Sequence, residues 1–264
     1  MTSSTSSDPS FIRPEVRIFF RDIKEHPDDD TPRLIFADWL QEHGDAAAAA
    51  RGEFLRSCVL RHRLPPDDPS YNLLKRREGE LFTEHRWTWL GPLADRARSW
   101  GFERGLIQIE AEAEKLLTHE VAAWARTEAG LWIDALTLTG LTSNLEVAIY
   151  RSHLLGHLNR IDLSDNQAGI APFLMYSYHP YVIELVLSRN RLTGVHIGVL
   201  VERPDCSRLK YLDLQHNRLD DYAAGVLANA HHLKGLARLR LGRNRFTADG
   251  IALLRQAFGD RVEF

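Results

Sequence analysis

Residues 158–246 repeat one phrase four times: LNRIDLSDNQA from Leu158, VIELVLSRNRL from Val182, LKYLDLQHNRL from Leu209 and LARLRLGRNRF from Leu236. Each copy fits L-x-x-L-x-L-x-x-N-x-L, with Val, Ile, Ala or Phe at some of the Leu positions. The asparagines are Asn166, Asn190, Asn217 and Asn244, so the period is 24, 27 and 27 residues. A fixed period of this size marks a stacked array of like units. Within each copy two apolar residues alternate, Ile161 with Leu163, Leu185 with Leu187, Leu212 with Leu214 and Leu239 with Leu241. Alternation places such a pair on one face of a short strand, pointing into a core. The Asn comes three residues after the second of them. There the chain turns inward and backbone groups lose water; an inward amide can both donate to and accept from neighbouring turns, and successive copies form a ladder.

This pattern resembles the leucine-rich repeat. The segments between strands read as helices: Ile251, Leu254 and Phe258 recur at helical spacing, Thr247 or Asp249 suits the start and Gly259 the end. The expected fold is therefore α/β, a leucine-rich-repeat solenoid with a concave parallel sheet and convex helices, of about five or six repeats. Ile107 and Ile109, then Leu136 and Leu138, take the paired strand positions, but Glu112 and Leu141 stand where Asn is expected. Residues 103–130 thus read as a degenerate capping repeat and 131–156 as a divergent one, since terminal repeats must cover an open core. Val262 and Phe264 offer a last strand.

Ahead of the array the pattern is helical. Residues 1–12 are rich in Ser, Thr, Asp and Pro and read as a disordered leader. Val16, Phe19, Phe20 and Ile23 share a helical face; Thr31-Pro32 reads as cap and first residue of a helix stopping at Gly44; a third helix spans about 51–63. Asp28, Asp29 and Asp30 lie at the positive end of the second helix. Asp38 and Glu42, four apart, offer a seat for a basic residue such as Arg51. DDDTPRLIFADWLQEHGD (residues 28–45) followed by RGEFLR (51–56) resembles the repeat-companion domain, an N-terminal module of bacterial paralogue sets. The Ala46–Ala50 run departs from that family's linker, and the resemblance implies architecture and a bacterial origin but no activity. The segmentation is a leader at 1–12, a helical module at 13–66, a helical connector and cap at 67–102 and the array at 103–264.

Composition narrows the function. The chain has 264 residues, 44% hydrophobic and 26% charged, with a formal charge of -3, which gives no general nucleic-acid footprint. Cys58 and Cys206 show no metal-binding spacing and read as free thiols in a reducing, cytoplasmic setting. There is no membrane-spanning apolar run, phosphate loop, H-E-x-x-H motif or His/Cys cluster, so no catalytic residue, metal or cofactor is expected. The residues between and beside the buried pairs face outward from an arc. The candidates for partner binding are Arg160, Asp162, Glu184, Arg189, Tyr211, Asp213, His216, Arg238, Arg240 and Arg243. The expected role is a non-catalytic protein-protein interaction module, whether adaptor, regulator or protease target in a bacterial signalling or defence system. The alternative is nucleic-acid binding through the C-terminal arginines.

Overall fold

A computed structural model describes residues 12–166 and 179–264. The leader expected at 1–12 lies outside the described residues except for its last position, as do the final two residues of the first repeat copy. The chain is α/β, with one open, mixed eight-stranded sheet whose strands follow chain order. These are β1 (Ser99–Glu103), β2 (Leu106–Glu112), β3 (Ile133–Thr139), β4 (Arg160–Asp162), β5 (Glu184–Val186), β6 (Tyr211–Asp213), β7 (Arg238–Arg240) and β8 (Val262–Glu263). No helix among the described residues is long and apolar enough to cross a membrane.

Two compact units divide the chain. The first comprises the residues up to Asp95, with Gly101–Ile107 and His119–Ile133. Its longest helices are α1 (Pro14–Glu25), α2 (Thr31–His43), α3 (Ala46–His62) and α4 (Pro69–Leu90). Val16, Phe20 and Ile23 bury one face of α1, and Phe36, Ala37 and Leu40 one face of α2. Thr31 is the first helical residue of α2 rather than its cap; the Asp29 carboxylate accepts from the Thr31 N–H at 2.8 Å. Helix α3 starts at Ala46, five residues before the sequence reading. The Asp45 side chain caps it by accepting from the Ala48 N–H at 2.8 Å, and alanine is the best helix former. Gly52 lets α3 cross α2 closely, for a Cβ there would stand 2.6 Å from the Ala37 carbonyl oxygen.

The tail of segment 67–102, expected to be helical, is strand β1. Arg104 and Gly105 connect β1 to β2 with φ of 44° and 81°, the positive pair that a two-residue hairpin turn needs. Arg104 also ties this turn to the start of α2, donating to Asp30 at 3.1 Å and to the Pro27 carbonyl at 2.5 Å. Arg63 holds the other Asp30 oxygen at 2.8 Å. Burial opposes ionisation of Asp30, but the hydrogen bonds from Arg63 and Arg104 outweigh it and lower its pKa. Asp30 thus does more than meet the helix dipole: it joins α2 to the hairpin and to the end of α3.

The second unit holds Arg96–Trp100, Gln108–Thr118 and Asp134–Phe264. From β3 to β8 every neighbouring pair is parallel, and the register equates Leu136, Ile161, Leu185, Leu212, Leu239 and Val262. The eight paired apolar residues of the four copies are between 0 and 4% exposed. Each full burial of such a side chain contributes about 1.5–3 kcal/mol. Helices α5 (Gly194–Val201), α6 (Asp221–Ala228) and α7 (Ala248–Phe258) connect the later strands. Gly259, φ 61°, ends α7. Thr247, at the start of α7, bonds both oxygens of Asp221 at the start of α6, which staples one connection to the next.

The four asparagines bind copy to copy. Asn217 Oδ1 accepts from the N–H groups of Asn190 (3.0 Å) and Leu192 (2.9 Å), while its Nδ2 donates to Leu187 O (3.0 Å) and Leu214 O (2.9 Å). Asn190 likewise reaches back to the Asn166 N–H and Leu163 O, and Asn166 to the Leu141 N–H and Leu138 O. Asn244 reaches the Leu219 N–H and Leu214 O. Each amide therefore serves the turn of the copy before it. That direction explains why position 141 needs no Asn: the segment before it leaves β2 straight into a helical turn, Ala113–Leu116, with no matching turn to satisfy. Asn217→Leu strands three backbone groups, the Asn190 and Leu192 N–H and the Leu187 carbonyl, so unfolding stability should fall by about 3 kcal/mol or more. A urea midpoint unchanged from the parent would show that these bonds do not hold the copies together.

Candidate functional site

Parallel pairing lines the candidate residues up in columns. Arg160, Glu184, Tyr211 and Arg238 occupy one register line across β4 to β7. Asp162, Val186, Asp213, Arg240 and Glu263 occupy the line two residues on. The residues between the lines, Ile161, Leu185, Leu212 and Leu239, point the other way and are buried. The alternation that buries the leucines therefore presents the two polar lines together on the opposite face.

Charges on this face are largely matched. Arg160 meets Glu184 at 3.2 Å, Arg240 meets Asp213 at 3.2 Å, and Glu263 takes Arg238 at 3.0 Å and Arg240 at 3.3 Å. The arginines of these pairs are exposed while Asp213 and Glu184 are partly buried, and exposed pairs of this kind contribute about 0–1 kcal/mol each. Their larger effect is to hold long side chains in place across neighbouring strands. Tyr211 is 44% exposed in the midst of them.

Two candidates also bond the backbone. Asp162 Oδ1 accepts from the Ser164 N–H at 2.8 Å and Asp213 Oδ1 from the Gln215 N–H at 2.9 Å, each holding the turn that follows its strand. Arg189, His216 and Arg243, together with Asp165, sit on that turn with φ of 59°, 54°, 63° and 59°. A left-handed backbone at the same place in all four copies is a structural requirement of the turn, and L residues there cost about 1–2 kcal/mol. The sequence held one cue: this place is always the residue before the Asn.

Arg51 is not held by Asp38 and Glu42. Asp38 pairs with Arg56 instead, and Arg51 points inward from α3, 4% exposed and surrounded by aromatic rings. The two residues are fixed by different faces of their helices, which a spacing rule within one helix does not register.

Both thiols are free and buried. Burial pushes the Cys206 thiol up to about 12 and pushes the Cys58 thiol up as well, which disfavours both thiolates at neutral pH. His179 is also buried; its backbone N–H donates to Asp205 at 2.9 Å, and Asp205 pairs with Arg203. Burial first, and Arg203 second, push the His179 pKa down to about 4. No protein-family model matches the chain, and no curated protein matches it.

Two outcomes follow from the turn and the histidine. His216→Gly should be at least as stable as the parent, whereas the β-branched His216→Val should be less stable than the parent, read from urea midpoints. His179 takes up its proton near pH 6.5 when unfolded but only near pH 4 when folded, so the unfolded state gains protons first as pH falls. Stability should be full above pH 6.5 and drop by up to about 3 kcal/mol towards pH 4. His179→Gln should flatten that part of the stability profile.

Proposed function

We propose that the chain is a non-catalytic protein-interaction module. In this reading residues 103–264 form a leucine-rich-repeat arc. Strands about 4.8 Å apart on one side and helices about 8–10 Å apart on the other bend such an array, with the strand side concave. The helices of residues 13–66 are its repeat-companion module. The setting is a bacterial cytoplasm, where the protein acts as adaptor, regulator or protease target by holding another protein on the strand face.

The observation that carries this reading is the pair of in-register polar lines on β4 to β8, with Tyr211 exposed among ordered arginines. Tyrosine and arginine are the residues most often found as energetic anchors in protein interfaces. Side chains already positioned by cross-strand ion pairs lose less entropy when a partner docks. The nucleic-acid alternative draws less support, because Arg238 and Arg240 share Glu263 and so present a reduced positive field.

The test uses Tyr211→Ser combined with Arg240→Ser, which removes two anchors and leaves the backbone bond made by Asp213 intact. Crosslinked capture from native lysate should recover a protein with the parent chain that is lost, by tenfold or more, with this variant at unchanged thermal midpoint. Equal recovery by both chains would move the interaction off the strand face. Recovery of nucleic acid that falls away steeply with salt would favour the arginine reading.

A further inference from the structure

The first unit contains a cation without a counter-ion. The Arg51 guanidinium carbon lies 4.1 Å from the Trp132 ring centre, 4.4 Å from Trp89, and 5.4 Å from both Phe54 and Phe102. Its Nη2 makes one long bond, 3.4 Å, to the Gly105 carbonyl, and its Nη1 has no hydrogen-bond partner. Beside it is a cavity of about 190 Å³ whose walls include Arg13, Val16, Phe36, Trp89, Glu128 and Trp132. Exposed Ala47 and Thr88 are also part of the lining, so the cavity reaches solvent.

The charges in this lining do not cancel. Glu128 is its one carboxylate and is fully engaged by Arg13, through Nε at 2.8 Å, Nη2 at 2.8 Å and the backbone N–H at 2.8 Å. Arg51 is left over. A buried unpaired charge is costly, and cation–π contacts worth about 2 kcal/mol when desolvated offset only part of that cost. Burial pulls the Arg51 pKa down to about 9, which leaves it charged at neutral pH.

We propose that this cavity binds a small monocarboxylate with an apolar body about the size of one aromatic ring. The carboxylate pairs with the Arg51 guanidinium, and the body lies against Trp89 and Trp132. The size follows from the volume, since an apolar cavity of about 150 Å³ takes up benzene. The single charge follows from the single spare cation. A phosphate dianion would bring more charge than the lining can match and has no apolar body for the rings. This site lies wholly within the first unit and does not depend on the strand-face reading.

The test is titration of the full chain with benzoate and phenylacetate, following tryptophan fluorescence and the thermal midpoint. Benzamide, benzyl alcohol, inorganic phosphate and matched sodium chloride serve as comparisons. Saturable quenching with a raised midpoint is expected for the two carboxylates and for none of the comparisons. Arg51→Met should weaken it at least tenfold, and Ala48→Leu, which fills the lining while keeping Arg51, should do the same. Where Arg51→Met fails to fold, Ala48→Leu decides. No saturable response to either carboxylate, an equal response to benzamide or phosphate, or full binding retained by a folded variant would overturn the proposal.

Discussion

The second unit depends on one constraint: a parallel strand three residues long cannot satisfy the turn that follows it. Each turn bends inward behind its strand and turns backbone groups away from water, where an unmade hydrogen bond costs about 1–3 kcal/mol. The asparagine of the next copy supplies both a donor and an acceptor to those groups. Leucine burial drives the copies together but would tolerate a slipped register. The amide does not, because its bonds exist only when one copy sits directly against the last. Hydrophobic pairing therefore supplies most of the stability, and the asparagines supply the alignment on which the outer face depends.

That alignment has a consequence for the polar face. Because the register is fixed, Arg160, Glu184, Tyr211 and Arg238 are rung neighbours, as are Asp213, Arg240 and Glu263. The cross-strand ion pairs arise from this placement and from no motif of their own. A face of positioned, partly neutralised side chains suits recognition of another folded surface better than it suits a polyanion.

The first unit follows a different logic. Its elements are joined by buried or half-buried cations that reach across long stretches of chain: Arg104 to Asp30 and Pro27, Lys24 to the Ile133 carbonyl, Arg13 to Glu128. Each of these finds a carboxylate or a carbonyl. Arg51 finds four rings and a single distant carbonyl, and that exception marks the cavity next to it as the place where the packing leaves chemistry over.

By itself the sequence determined the positions of the parallel strands, their register and the asparagine contacts, because these are set by local alternation and by a fixed offset repeated four times; it missed β1, which lies outside the repeats. It also located the helices of the first unit to within a few residues, missing the start of α3 because the alanine run was read as linker. The tertiary structure alone decided the left-handed turn at Asp165, Arg189, His216 and Arg243, since backbone handedness leaves no mark in a hydrophobic pattern. It alone decided that Asp38 pairs with Arg56, and that Arg51 lies among Phe54, Trp89, Phe102 and Trp132. Those rings come from separate elements along the chain. Their convergence is a property of how the elements pack, and a periodicity within any one of them carries no information about it.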